Sequence, residues 1–134
     1  MKRHTFDKNI TVYCIRATSF PEGILQSHQT LHSKMPYSHE RKYFGISRPE
    51  NGPIVYRAAA SELTPGELDD KGLEKFTIRK GGYASLAIKD YMEDIAAIDA
   101  AFRELLSQPN IDPDGYCLEW YVSNNEVWCM VPLK

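Results

Sequence analysis

The chain has no surplus of positive charge: 16 Lys and Arg stand against 18 Asp and Glu, for a net charge of -2 over 134 residues. That balance gives no electrostatic footprint for nucleic acid or an anionic membrane surface. No apolar run approaches the length of a membrane span, and Met1-Lys2-Arg3-His4-Thr5 has no apolar stretch of the kind that opens a secretion signal. Cysteine is scarce and odd in number, and Cys14, Cys117 and Cys129 form no C-x-x-C pair. They read as reduced core thiols of a cytoplasmic protein rather than as a disulfide framework or a metal site. No Ser–His–Asp pattern is evident, and Gly81-Gly82 lacks the flanking Lys and Ser/Thr of a phosphate loop. His28 and His32 lie one helical turn apart, but Gln29 stands where a zinc protease motif carries its Glu. They read as a core-edge and a solvent-facing histidine, so no metal and no cofactor is expected.

What is present is an ordinary globular composition, 43% hydrophobic and 25% charged, which suits one compact domain over residues 1–134. Strands are expected at Thr11–Arg16, Lys42–Ser47, Ile54–Ala60, Phe76–Arg79, Tyr83–Ile88 and Cys117–Val122, with a turn at Pro49-Glu50-Asn51-Gly52-Pro53. A helix opens at Pro21, with Ile24, Leu25, His28, Leu31 and Met35 on one face. A second runs from about Asp90 to Leu106 on Tyr91, Ile95, Ile98, Phe102 and Leu105. The order strand–helix–strand–strand thus occurs twice, in halves of about 8–62 and 73–134. The expected fold class is α+β: two such repeats related by a pseudo-two-fold, an antiparallel sheet with helices on one face and a ligand groove on the other.

The most informative segment is Cys117-Leu118-Glu119-Trp120-Tyr121-Val122, a strand with an acid at its centre. Ser123-Asn124-Asn125-Glu126 reads as a hairpin turn with the two asparagines as a two-residue loop, because Asn tolerates positive φ. That register pairs Tyr121 with Trp128 and Glu119 with Met130, and it sets Glu119, Tyr121, Trp128 and Met130 on one face. A carboxylate among aromatic rings suits an organic cation: the ring faces supply quadrupole attraction and the acid the counter-charge. Overlaying the two halves puts Gly45 where Glu119 stands and Tyr56 where Trp128 stands. Tyr43 and Tyr56 would then form the opposite wall, while the small Gly45, Ala58 and Ala60 leave room for a guest. Tyr83, after the glycine pair, is a further candidate lining residue.

These residues resemble the GyrI-like effector-binding domain, found also in some AraC-type and multidrug-sensing activators. The resemblance covers nearly the whole chain. It is carried by Tyr43-Phe44-Gly45-Ile46-Ser47, Tyr56-Arg57-Ala58-Ala59, Gly81-Gly82-Tyr83-Ala84, Leu118-Glu119-Trp120-Tyr121 and Val131-Pro132-Leu133-Lys134. It implies a stand-alone domain that binds hydrophobic, cationic small molecules against Glu119, in a regulatory or drug-sequestering role. Two alternatives come with it. One is a hydrolase of electrophilic cyclopropanoid compounds using Glu119 and Tyr121. The other is a protein-interaction inhibitor of the DNA gyrase type. Besides the small-molecule ligand, the partners open to such a domain are another protein or a second copy in a homodimer. The stretch before Thr11 is too short for a helix-turn-helix, so no direct reading of DNA through that motif is expected.

Overall fold

A computed structural model describes residues 1–134. The strands are β1 (Lys2–Phe6), β2 (Ile10–Arg16), β3 (Tyr43–Pro49), β4 (Ile54–Ser61), β5 (Glu74–Ile78), β6 (Gly81–Lys89), β7 (Cys117–Tyr121) and β8 (Glu126–Pro132); the helices are α1 (Ile24–Ser33) and α2 (Ala96–Leu106). All eight strands join one antiparallel sheet in the order β1-β6-β8-β7-β3-β4-β2-β5. The α+β class, seven of the strands and the first helix stand where hydrophobic periodicity places them. The second helix starts at Ala96 and not at about Asp90, because Asp90 takes positive φ, Tyr91–Glu93 forms a separate short turn and Ile95 is 57% exposed. No helix is long and apolar enough to cross a membrane.

β1 is the one strand the sequence reading lacks. It is short and basic, and its alternation is confined to His4 and Phe6 facing in. Its partner is β6, in the other half of the chain, while β5 crosses the other way to pair with β2. Each half therefore lends its leading strand to its counterpart.

Both helices lie on one face. α1 packs on β4 and β2 through Leu31, and α2 on β8 and β6 through Phe102 and Leu105. The central strands β3 and β7, paired from Phe44↔Trp120 to Ser47↔Cys117, fall between the two helices. The opposite face has no helix to cover it, yet Phe6, Phe44, Ile46, Ile78, Leu118 and Met130 are all buried there in one cluster. The sheet achieves this by curling. Tyr116 bridges strands far apart in the order, its ring 5.4 Å edge-on from Phe76 of β5 and its hydroxyl 2.6 Å from that of Tyr83 on β6.

The terminal hairpin departs from the expected register by one residue. Trp120 pairs with Trp128, Glu119 with Cys129 and Leu118 with Met130, and the Val122 amide donates to the Glu126 carbonyl at 3.1 Å. The loop therefore holds Ser123, Asn124 and Asn125. Neither asparagine takes positive φ, which a tight two-residue turn of the favoured hand requires. Because side chains alternate, the single extra loop residue flips all of β8 relative to β7.

Candidate functional site

Glu119 and Tyr121 are two apart on β7 and share a face under any register, together with Cys117. The observed pairing adds Val127, Cys129 and Val131 to that face and removes Trp128 and Met130, which lie on the other side with Leu118 and Trp120. Tyr83 is also on the far side, buried, donating to the Arg79 carbonyl at 2.8 Å. These three residues are thus separated by the sheet from the carboxylate they were expected to surround. The face itself is corrected as well. Glu119 projects from the side that carries the helices, into the gap between them, and not from the uncovered side.

Tyr56 reaches the acid from two strands away. Gly45 pairs with Glu119 across β3–β7 and with Ala58 across β3–β4, so Ser47, Tyr56, Gly45 and Glu119 point the same way. Under this pairing the counterpart of Tyr56 in the second half is Val127, one position before the expected Trp128. Gly45 has no side chain in the space between, and the Tyr56 ring occupies it: a Cβ at position 45 would overlap the Tyr56 hydroxyl and stand 2.7 Å from Glu119 Oε1. The room left by Gly45 is filled by a phenol of the protein. Tyr43 shares the face but turns outward, stacked on Tyr37 at 5.8 Å and lying 4.8 Å from His32.

The polar centre is a short chain of groups. The Tyr56 hydroxyl donates to Glu119 Oε1 at 3.1 Å, and the Tyr121 hydroxyl donates to the same oxygen in a very short bond. His28 Nε2 lies 2.8 Å from the Tyr56 hydroxyl, and its ring packs edge-on against Tyr121 at 5.4 Å. Each phenol has one proton, so with Glu119 ionised both protons go to Oε1 and His28 donates from Nε2–H to Tyr56. Oε2 receives no protein donor, yet it is not a sealed orphan; among buried side-chain polar atoms Arg41 Nε alone lacks a partner. Glu119 itself is 9% exposed and forms no salt bridge.

Burial sets the electrostatics. It pushes the Glu119 carboxyl above its ordinary pKa, and the two phenol donors oppose that rise. The phenols of Tyr56 and Tyr121 are driven well above theirs, by burial first and then by the adjacent carboxylate. His28 falls to about 4, chiefly through burial with a contribution from His32, so its imidazole is neutral at pH 7. The Cys117 thiol is pushed up to about 11 and that of Cys129 to about 12 by burial and by Glu119, which keeps both protonated and unreactive. Ionised, this phenol-held acid can pair with a cation; protonated, it can relay a proton. It has no acidic thiol or charged histidine beside it.

Two participants escaped the sequence reading. His28 is on the buried stripe of α1, which was the available signal, because a histidine on a core-facing stripe needs a polar partner. Tyr91, in the turn before α2, packs 5.7 Å from Tyr121 and borders the gap from the other side. At the far end of Tyr56 its ring stacks on Phe20 at 6.1 Å and 28°. There it meets a surface groove of about 570 Å³ lined by Arg16, Phe20, Pro53, Ile54, Val55 and the loop residues between Arg16 and Phe20.

No protein-family model and no curated protein matches the chain by sequence. Solved structures share its fold. The integron cassette protein VCH_CASS2 from the mobile metagenome of Vibrio cholerae superposes with a TM-score of 0.75 at 13% identity, over 99% of this chain and 95% of that one. SAV2435, solved bound to tetraphenylphosphonium, superposes with a TM-score of 0.63 at 12% identity, over 99% and 93%.

Proposed function

We propose that the chain is a binding domain for hydrophobic, cationic small molecules, with Glu119 as the counter-charge at the floor of the gap between α1 and α2. The observation that carries this reading is the state of one carboxylate. Glu119 is nearly buried, has no basic partner, and offers Oε2 without a protein donor. A carboxylate withdrawn from water and left without a cation is costly, and a positive ligand removes that cost. Tyr56, Tyr121, His28 and Tyr91 surround it with rings and no competing positive charge. The tetraphenylphosphonium held by SAV2435, a protein of the same fold, supports the same ligand class.

Titration calorimetry with tetraphenylphosphonium tests the reading. Wild type should bind it, and Glu119→Gln should weaken binding at least about tenfold while keeping the folded circular-dichroism spectrum. The ionised acid is the binding form and its pKa is raised by burial, so affinity should climb as pH rises through that pKa, with a proton released on binding. Equal affinity in wild type and Glu119→Gln would remove the carboxylate from the site. Turnover of an electrophilic cyclopropane by wild type, lost in Glu119→Gln, would replace this reading with the hydrolytic one.

A further inference from the structure

We infer that the groove beside Tyr56 is an aromatic subsite of the same binding site, selecting cations that carry a flat aryl arm over alkyl cations of equal charge. The inference rests on the reading of Glu119 as the counter-charge. Tyr56 is the wall common to both places. Its hydroxyl is 3.1 Å from Glu119 Oε1, and its ring stacks on Phe20 at the groove end. Tyr56 is 1% exposed and stands as the wall between the two places, so a ligand whose charge sits at Glu119 reaches the groove by taking the place of Phe20 over that ring.

Phe20 shows what the groove holds. It lies in the loop between β2 and α1, is 41% exposed, and makes a single ring contact, the stack on Tyr56. A large apolar ring half in water and resting on a buried tyrosine stands where an incoming aryl group would stack. Ala17, Pro53, Ile54 and Val55 give the groove an apolar wall, Thr18 and Ser19 a polar edge, and the volume of about 570 Å³ falls in the range of small-molecule sites. The only charged lining residue is Arg16. Its guanidinium is already bidentate to Glu74 at 3.0 and 2.9 Å, so it offers a cation little repulsion. An alkyl cation gains the Glu119 charge but not the stack; an aryl cation gains both.

The test compares tetraphenylphosphonium with tetrabutylammonium by titration calorimetry on wild type, Ile54→Asn, Phe20→Ala and Glu119→Gln, each checked for folding by thermal unfolding. Wild type should prefer the aryl cation by about tenfold or more. Ile54 is 46% exposed and away from the carboxylate, so Ile54→Asn should fold normally. It should weaken the aryl cation about tenfold and leave the alkyl cation unchanged. Phe20→Ala should strengthen aryl binding, because the ring that competes for Tyr56 is gone. Glu119→Gln should weaken both. If the two cations bind wild type equally, or Ile54→Asn weakens both alike or neither, the subsite is overturned while Glu119 keeps its role. If wild type binds neither cation, the Glu119 reading falls first and the subsite with it.

Discussion

Gly45 decides whether Tyr56 and Glu119 can meet. Any side chain there would overlap the Tyr56 hydroxyl and crowd Glu119 Oε1 at 2.7 Å. Gly45→Ala should therefore cost about 1–3 kcal/mol in urea denaturation, the usual penalty for overpacking a filled site. It should also weaken cation binding by displacing the phenol; an unchanged midpoint would mean the hydroxyl is not seated there. His28 provides the pH dependence at this scale. Its folded pKa of about 4 lies below the ordinary 6.5, so the unfolded chain takes up the extra proton between those values. Stability from this group is whole above pH 6.5 and is lost as pH falls toward 4, by roughly 2–3 kcal/mol. His28→Asn should flatten that part of the stability–pH curve measured by thermal unfolding. The pairing of Glu119 with Tyr121 was legible from the sequence because residues two apart on a strand share a face regardless of partner. The removal of Trp128 and Met130 was not, since it depends on what the loop between the strands does.

The two hairpin turns show why loops decide so much at the level of elements. Asn51-Gly52 takes positive φ at both residues, 56° and 110°, and makes the tight connection that sets Pro49 against Ile54. Asn124-Asn125 has no glycine and takes the three-residue route instead. The β3–β4 turn is also held by charge. Arg57 of β4 is 3% exposed and bonds Glu50 in that turn at 3.1 Å and Glu74 of β5 at 3.0 Å, with Phe76 under its guanidinium at 5.6 Å. The adjacent guanidinium of Arg57 holds Glu50 near a pKa of about 2, and Arg16 with Arg57 does the same for Glu74. Arg57→Ala removes the buried partner the two carboxylates share, leaving Glu50 to Arg48 at 3.1 Å and Glu74 to Arg16 at 2.9 Å. It should destabilise the fold by about 2–3 kcal/mol in chemical denaturation, through the lost charged hydrogen bonds. A loss under 1 kcal/mol would show that the network is only a solvated surface cluster.

At the scale of the whole molecule, the exchange of β1 and β5 ties the halves together. The strand order reads the same from either end once β1–β4 are exchanged for β5–β8, with β3 and β7 at the centre. A fragment such as 1–62 loses β6, the only partner of β1, and β5, the outer partner of β2, so it should not fold alone. The intact chain should unfold in one transition with coincident near- and far-ultraviolet dichroism; two separated transitions would contradict this coupling. Composition and hydrophobic period were enough to establish the α+β class, the two helices, seven of the strands and the acid at the centre of β7, because these depend on local sequence spacing. Three matters required the tertiary structure: the register of β8, the side of the sheet on which Glu119 emerges, and the meeting of Tyr56 with His28. Each depends on which surface an element is packed against and on how many residues a turn consumes. Alternation along a strand defines two faces, but only packing distinguishes the one beneath the helices from the one enclosed by the curl.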